Sequence, residues 1–178
     1  GVLVAWVKVP SISSSAATDL YMYYGNASAA SQQDAVNVWD SNFKGVWHLE
    51  EPTGDFADST SNANTGTNNA SATGKTGQIG SGQQFDGTGD YVNAAYQASL
   101  DTANNVTYSA WVNANTVSTA SPYLRGIISK YQNPSANGPI LRLGNGTLAA
   151  NKTPIFTVHS GSTKTATSSI DITPGGGW

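Results

Sequence analysis

The chain has 178 residues, of which only 11% are Asp, Glu, Lys or Arg, against roughly 25% in an average soluble domain. The net charge is −3, and eight Lys plus Arg are scattered singly, so no basic stripe exists to displace counterions from a nucleic acid backbone. The absence of cysteine excludes a disulfide framework, a thiolate metal site and a Cys nucleophile.

In chain order, residues 2–9 are β-branched and aromatic and stop at Pro10, which predicts a strand buried on both faces. Because this run opens the sequence, an upstream segment is expected to precede it. Residues 19–24, rich in Tyr and closed by Gly25 and Asn26, predict a second strand. Residues 27–37 read as a weakly helical or irregular linker, and residues 45–50 as a strand. The polar stretch 51–82 contains few large apolar residues beyond Phe56 and Ile79, and is expected to be a long loop.

Short strands are then predicted at 83–86, 91–93, 106–114, 126–131, 140–143, 155–159 and 169–173, with one helical turn near 95–100. The clearest alternation sets Val106, Tyr108, Ala110 and Val112 against Thr107, Ser109, Trp111 and Asn113. Many short strands without sustained 3.6-residue periodicity indicate an all-β antiparallel sandwich. Trp47 and Trp111, inside predicted strands, are expected in the core. No stretch approaches the ~20 apolar residues of a membrane span.

Catalytic constellations are missing from the pattern. Glycoside hydrolysis needs two carboxylates facing one bond. Glu50 and Glu51 are adjacent and would point to opposite faces of a strand, while Asp171 has no Glu at the alternate positions. The serines include no nucleophile elbow, and His48 and His159 lack partners at metal-ligand spacing. The expectation is a protein without a covalent step.

Calcium takes oxygen ligands from loops. Asp55, Asp58, Asn62 and Asn64 form one candidate oxygen set, and Asp86 with Asp90 another; the competing reading is Asx-rich turns that bond only their own backbone. Sugar rings stack on exposed aromatics. The candidates in or beside loops are Trp39, Tyr96, Tyr123 and Tyr131, with rim packing as the alternative. Asn-x-Ser/Thr sequons occur at Asn26, Asn69, Asn105, Asn145 and Asn151 and, with the low charge, suggest an extracellular or cell-surface location.

The ordered motifs Gly45-Val46-Trp47-His48-Leu49, Asp58-Ser59-Thr60-Ser61-Asn62-Ala63-Asn64-Thr65-Gly66 and Gly82-Gln83-Gln84-Phe85-Asp86-Gly87-Thr88-Gly89-Asp90-Tyr91-Val92 resemble the laminin-G-like branch of the concanavalin A-like lectin/glucanase superfamily. Tyr108-Ser109-Ala110-Trp111-Val112 and the closing Pro174-Gly175-Gly176-Gly177-Trp178 continue the likeness over residues 44–178. Trp6-Val7-Lys8-Val9-Pro10, Tyr21-Met22-Tyr23-Tyr24-Gly25-Asn26 and Val38-Trp39-Asp40 resemble the end of an uncharacterised domain of prokaryotic surface proteins, giving segments 1–43 and 44–178.

The resemblance implies a jelly-roll with glycan or protein ligands at its loop edges, often with a calcium ion. In that family further strands follow the Pro-Gly-Gly-Trp signal. The expectation is therefore a fragment, or a sandwich whose open edge is completed by another chain. Residues 2–9 are then the donor strand for self-association into a filament or surface layer.

Overall fold

The computed structural model describes residues 3–70, 72–101, 105–116, 125–130, 138–144, 152–160, 162–172, 175, 177 and 178. Its regular structure is all-β, with antiparallel sheets and almost no helix. The chain divides into two compact units, Gly1–Asp101 and Thr102–Trp178. Among the described residues no helix is long and apolar enough to cross a membrane.

In the first unit, β1 (Gly66–Asn69) pairs with β4 (Tyr91–Ala94), and β2 (Ala72–Thr76) pairs with β3 (Ser81–Gln84). Isolated bridges Trp47↔Asp58 and Phe56↔Gly66 extend the β1–β4 pair into an irregular ladder of four short segments. Phe56 and Gly66 exchange two backbone hydrogen bonds of 2.8 Å. That exchange places the Phe56 ring fully inside, as the largest buried side chain of the unit.

The Trp47 indole folds back over Gly45, where a Cβ would lie 2.2 Å from the ring, and its Nε1 donates to the Asn64 carbonyl at 2.8 Å. Gly45 is thus needed for a close approach. The predicted loop over 51–82 therefore carries two strands. Both are polar, so hydropathy does not reveal them; backbone pairing does the work instead, of β1 with β4 and of β2 with β3 across the tight turn from Gly77 to Gly80.

In the second unit, β5 (Arg125–Ser129), β6 (Gly138–Leu143), β7 (Pro154–Ser160) and β8 (Ser162–Thr167) form one sheet in that order. Every neighbour in the sheet is a neighbour in sequence. Leu143, Ile155 and Thr157 are buried at its centre, while β8 is exposed along its length. The closing strand is not at the predicted 169–173 but at the Thr-rich 162–167, whose single apolar residue, Ala166, leaves it hidden from a hydropathy reading. Residues 168–172 instead run beside 152–154, held by Ser168 N–H to the Pro154 carbonyl and Ile172 N–H to the Lys152 carbonyl.

Residues 106–114 belong to no ladder, and the predicted alternation holds except at Ala110, which is exposed. Val106, Tyr108 and Val112 are half-buried and Ala114 is buried, while Thr107, Ser109, Trp111 and Asn113 are exposed. Tyr108 meets Phe156 edge-on with ring centroids 5.8 Å apart. Trp111 is 63% exposed, which corrects its assignment to the core: it occupies the outward phase of its own alternation.

The N-terminal β segment is also corrected. Residues 3–9 and 19–24 pair with nothing in the described structure, and Leu3, Val7, Leu20, Tyr21, Met22 and Tyr23 are exposed. β-branched and aromatic residues favour extended backbone, but a strand exists only where a neighbour supplies the ladder. The linker 27–37 ends in one short helix, α1 (Ala35–Val38).

Candidate functional site

An aromatic cluster forms where residues 3–9 lie against residues 39–48 of the same unit. α1 ends at Trp39, whose extended backbone turns the chain, and Lys8 Nζ donates to the Asn37 carbonyl at 3.1 Å. This bond ties the N-terminal segment to the last turn of the helix, where a cation suits the exposed carbonyl. Asp34 holds the Asn37 amide through both carboxylate oxygens, at 2.9 and 2.8 Å.

Trp39 then meets Phe43 edge-on at 4.9 Å and Trp6 at 5.5 Å, and Trp6 stacks on His48 at 5.2 Å with the planes 25° apart. Trp6 and Phe43 remain almost half exposed. The result is a surface cluster of two indoles, a phenyl ring and an imidazole, fringed by Lys8, Asp34 and Asn37. Such a group offers C–H-binding ring faces beside charged and amide hydrogen-bonding groups.

Of the predicted aromatics, Trp39 belongs to this cluster. Tyr96 stands apart and exposed, its hydroxyl donating to Asp101 Oδ2 at 2.6 Å. That hydrogen bond, reinforced by the negative charge of Asp101, raises the phenol pKa above its ordinary value of 10.0. Tyr123 and Tyr131 lie outside the described residues. Trp6, Phe43 and His48 were not among the predicted ligand contacts. The legible signal was that aromatic residues bracket the segment 6–48 at both ends.

The predicted oxygen sets have definite partners. Asp58 Oδ1 accepts the N–H groups of Val46 and Thr60, and Oδ2 accepts the Thr60 hydroxyl and the Asn64 N–H, all at 2.9 Å. Four donors fill the acceptor capacity of one carboxylate. Asn62 Nδ2 donates to the carbonyls of Phe43 and Lys44, and Asn64 bridges the Lys44 carbonyl at 2.7 Å and the Ser99 hydroxyl at 3.1 Å. Asp55 Oδ1 accepts the Asn68 N–H.

Asp86 and Asp90 close a separate loop: Asp90 Oδ2 accepts the Asp86 N–H at 2.8 Å, and Asp86 Oδ1 accepts the Thr88 N–H at 2.6 Å. Gly87 and Gly89, both at φ +83°, supply the left-handed turns between them. Among the described residues no three His, Cys, Asp or Glu side chains are grouped to hold a metal. Two shielded oxygens outside the predicted sets, Glu51 Oε2 and Gln83 Oε1, have no hydrogen-bond partner there.

Of the sequons, Asn26, Asn69 and Asn105 are exposed; Asn26 Oδ1 accepts the Ser28 N–H, and Asn69 ends β1. Asn145 and Asn151 lie outside the described residues.

Fold and site together define an all-β antiparallel protein with a partly exposed aromatic cluster near its N-terminus. Residues 2–69, which contain that cluster, are similar to a family described as "Domain of unknown function (DUF2341)". No curated protein and no solved structure matches the chain.

Proposed function

We propose that the chain is a non-catalytic glycan-binding module of a cell-surface protein, with a laminin-G-like jelly-roll spanning residues 44–178. The observation that carries this reading is the Trp6–Trp39–Phe43–His48 cluster, which keeps ring area in solvent beside Lys8, Asp34 and Asn37. A sugar has apolar C–H faces and a hydroxyl rim, so a ring cluster with a polar fringe matches both halves of it. The motif order over 44–178 supports the jelly-roll, and a sequence with no two carboxylates at alternate positions supports binding without hydrolysis.

Trp39→Ala is expected to weaken binding to an immobilised glycan panel by at least about tenfold, the equivalent of ~1.4 kcal/mol, with Trp39→Phe intermediate. Unchanged binding by a variant whose circular dichroism matches the parent would remove the basis of this reading.

A second reading, a structural subunit assembled by strand complementation, is favoured by the exposed, unpaired residues 3–9 and 19–24. Unpaired extended segments of this composition add readily to a sheet edge. Under that reading the parent forms concentration-dependent polymers in light scattering, and deletion of residues 1–9 abolishes them. A parent that stays monomeric at every concentration rules it out.

A further inference from the structure

Among the described residues of the Gly1–Asp101 unit, Glu51 Oε2 and Gln83 Oε1 are shielded from solvent and meet no hydrogen-bond donor. They belong to one neighbourhood. Gln83, on β3, donates through Nε2 to the main-chain carbonyl of Leu49 at 2.9 Å and to that of Glu51 itself at 3.1 Å, so the amide is held on the backbone that carries the carboxylate. Turning the amide over would set its oxygen against two carbonyl oxygens, which fixes Oε1 on the other side. Glu51 Oε1 accepts the Ala57 N–H at 2.9 Å, and this bond orients the carboxylate while leaving Oε2 alone. Glu50 reaches the same hairpin, its Oε2 lying 3.4 Å from where a Cβ on Gly80 would stand. Neither glutamate is ion-paired among the described residues. An acceptor kept from both water and donors is unfavourable, and a charged one the more so.

We propose that Glu51 Oε2 and Gln83 Oε1 are ligands of a calcium ion. A carboxylate oxygen beside an amide oxygen is a hard donor pair, of the kind that calcium takes in loops together with main-chain carbonyls. Three acidic side chains in one place are not required. Zinc favours nitrogen and sulfur, and magnesium retains several waters in near-octahedral geometry, which suits oxygens shielded from solvent poorly. The ion joins two sheets of the unit that share no strand. Glu51 lies in the connection between Trp47 and Phe56, both bridged into the β1–β4 ladder, whereas Gln83 belongs to the β2–β3 hairpin. The site is separate from the oxygen sets around Asp58 and Asp86, and it does not depend on glycan recognition, since no ring of the Trp39 cluster takes part.

The test uses the full chain, stripped of metal by a chelator and titrated with calcium chloride in a calorimeter, with urea unfolding and amide exchange followed in the presence and absence of the ion. The parent is expected to bind one calcium per chain, to unfold at higher urea when calcium is present, and to gain protection at the Ala57 amide, whose acceptor the ion anchors. Glu51→Gln is expected to lower calcium affinity at least about tenfold. Without calcium this variant unfolds at the same urea concentration as the parent or higher, because its amide keeps the Ala57 bond and supplies a donor for Gln83 Oε1. Asp86→Asn retains the parent's affinity.

A parent whose unfolding and Ala57 exchange ignore calcium refutes the inference and leaves a bridging water at the two oxygens. Calcium binding that Glu51→Gln does not weaken refutes it too: loss in Asp86→Asn then locates the ion in the other loop, and loss in neither variant marks an adventitious ion only.

Discussion

Asp58→Ala is expected to destabilise the Gly1–Asp101 unit by about 3–5 kcal/mol, read as a lower urea midpoint with an unchanged slope. The carboxylate accepts four donors, and two of the residues it serves, Thr60 and Asn64, are buried. Each shielded donor left without an acceptor costs roughly 1–3 kcal/mol, with the more accessible ones discounted because water replaces the lost partner. Against a typical total of about 5–15 kcal/mol this is a large loss. Asp58→Asn keeps the shape but turns an amide donor toward N–H or O–H donors, so it recovers little. Asp55→Ala, which removes one bond at an exposed site, is the control and is expected to cost under about 1 kcal/mol. Equal midpoints for the Asp58 and Asp55 variants would show that the four bonds do not organise the unit.

Phe56→Ala is expected to cost about 3–5 kcal/mol, the usual range for emptying a fully buried aromatic site. The effect has an additional route, because the double hydrogen bond between Phe56 and Gly66 joins the 56–58 segment to β1. A cavity there loosens the ladder as well as the packing. Hydrogen exchange should report it as lost protection at the amides of Phe56 and Gly66; protection equal to that of the parent would show that the ring does not hold the ladder.

Both predictions concern residues whose importance was only half visible in the sequence. Spacing singled out Asp58, Asn62 and Asn64 as an oxygen cluster, but spacing cannot tell whether such oxygens face a cation or the N–H groups of their own turn. In the structure Asp58 meets four donors at 2.9 Å, one of them the Val46 N–H from a separate segment. Phe56 stood out as a lone aromatic in a polar stretch, and that isolation agrees with its place as a solitary anchor.

Strand positions were legible where apolar runs end in turn residues, as at Tyr91–Ala94, Gly138–Leu143 and Pro154–Ser160. They were illegible in β1, β2 and β8, whose polar side chains leave only backbone pairing to define them. The reverse error arose at residues 3–9 and 19–24, where propensity is high and the pairing partner is missing from the described structure. Trp111 carried a sound signal, its outward phase, which the size of the indole outweighed in the sequence reading.

The β5–β8 meander has a kinetic consequence. Each of its pairings joins consecutive strands, so the loops that must close are short and the entropy lost before contacts form is small. The first unit instead waits for β1 to find β4 across an intervening hairpin. After dilution from denaturant, protection should therefore appear first in residues 125–167, and the aromatic cluster at Trp39 should assemble on a slower clock than the sheet that follows it in the chain.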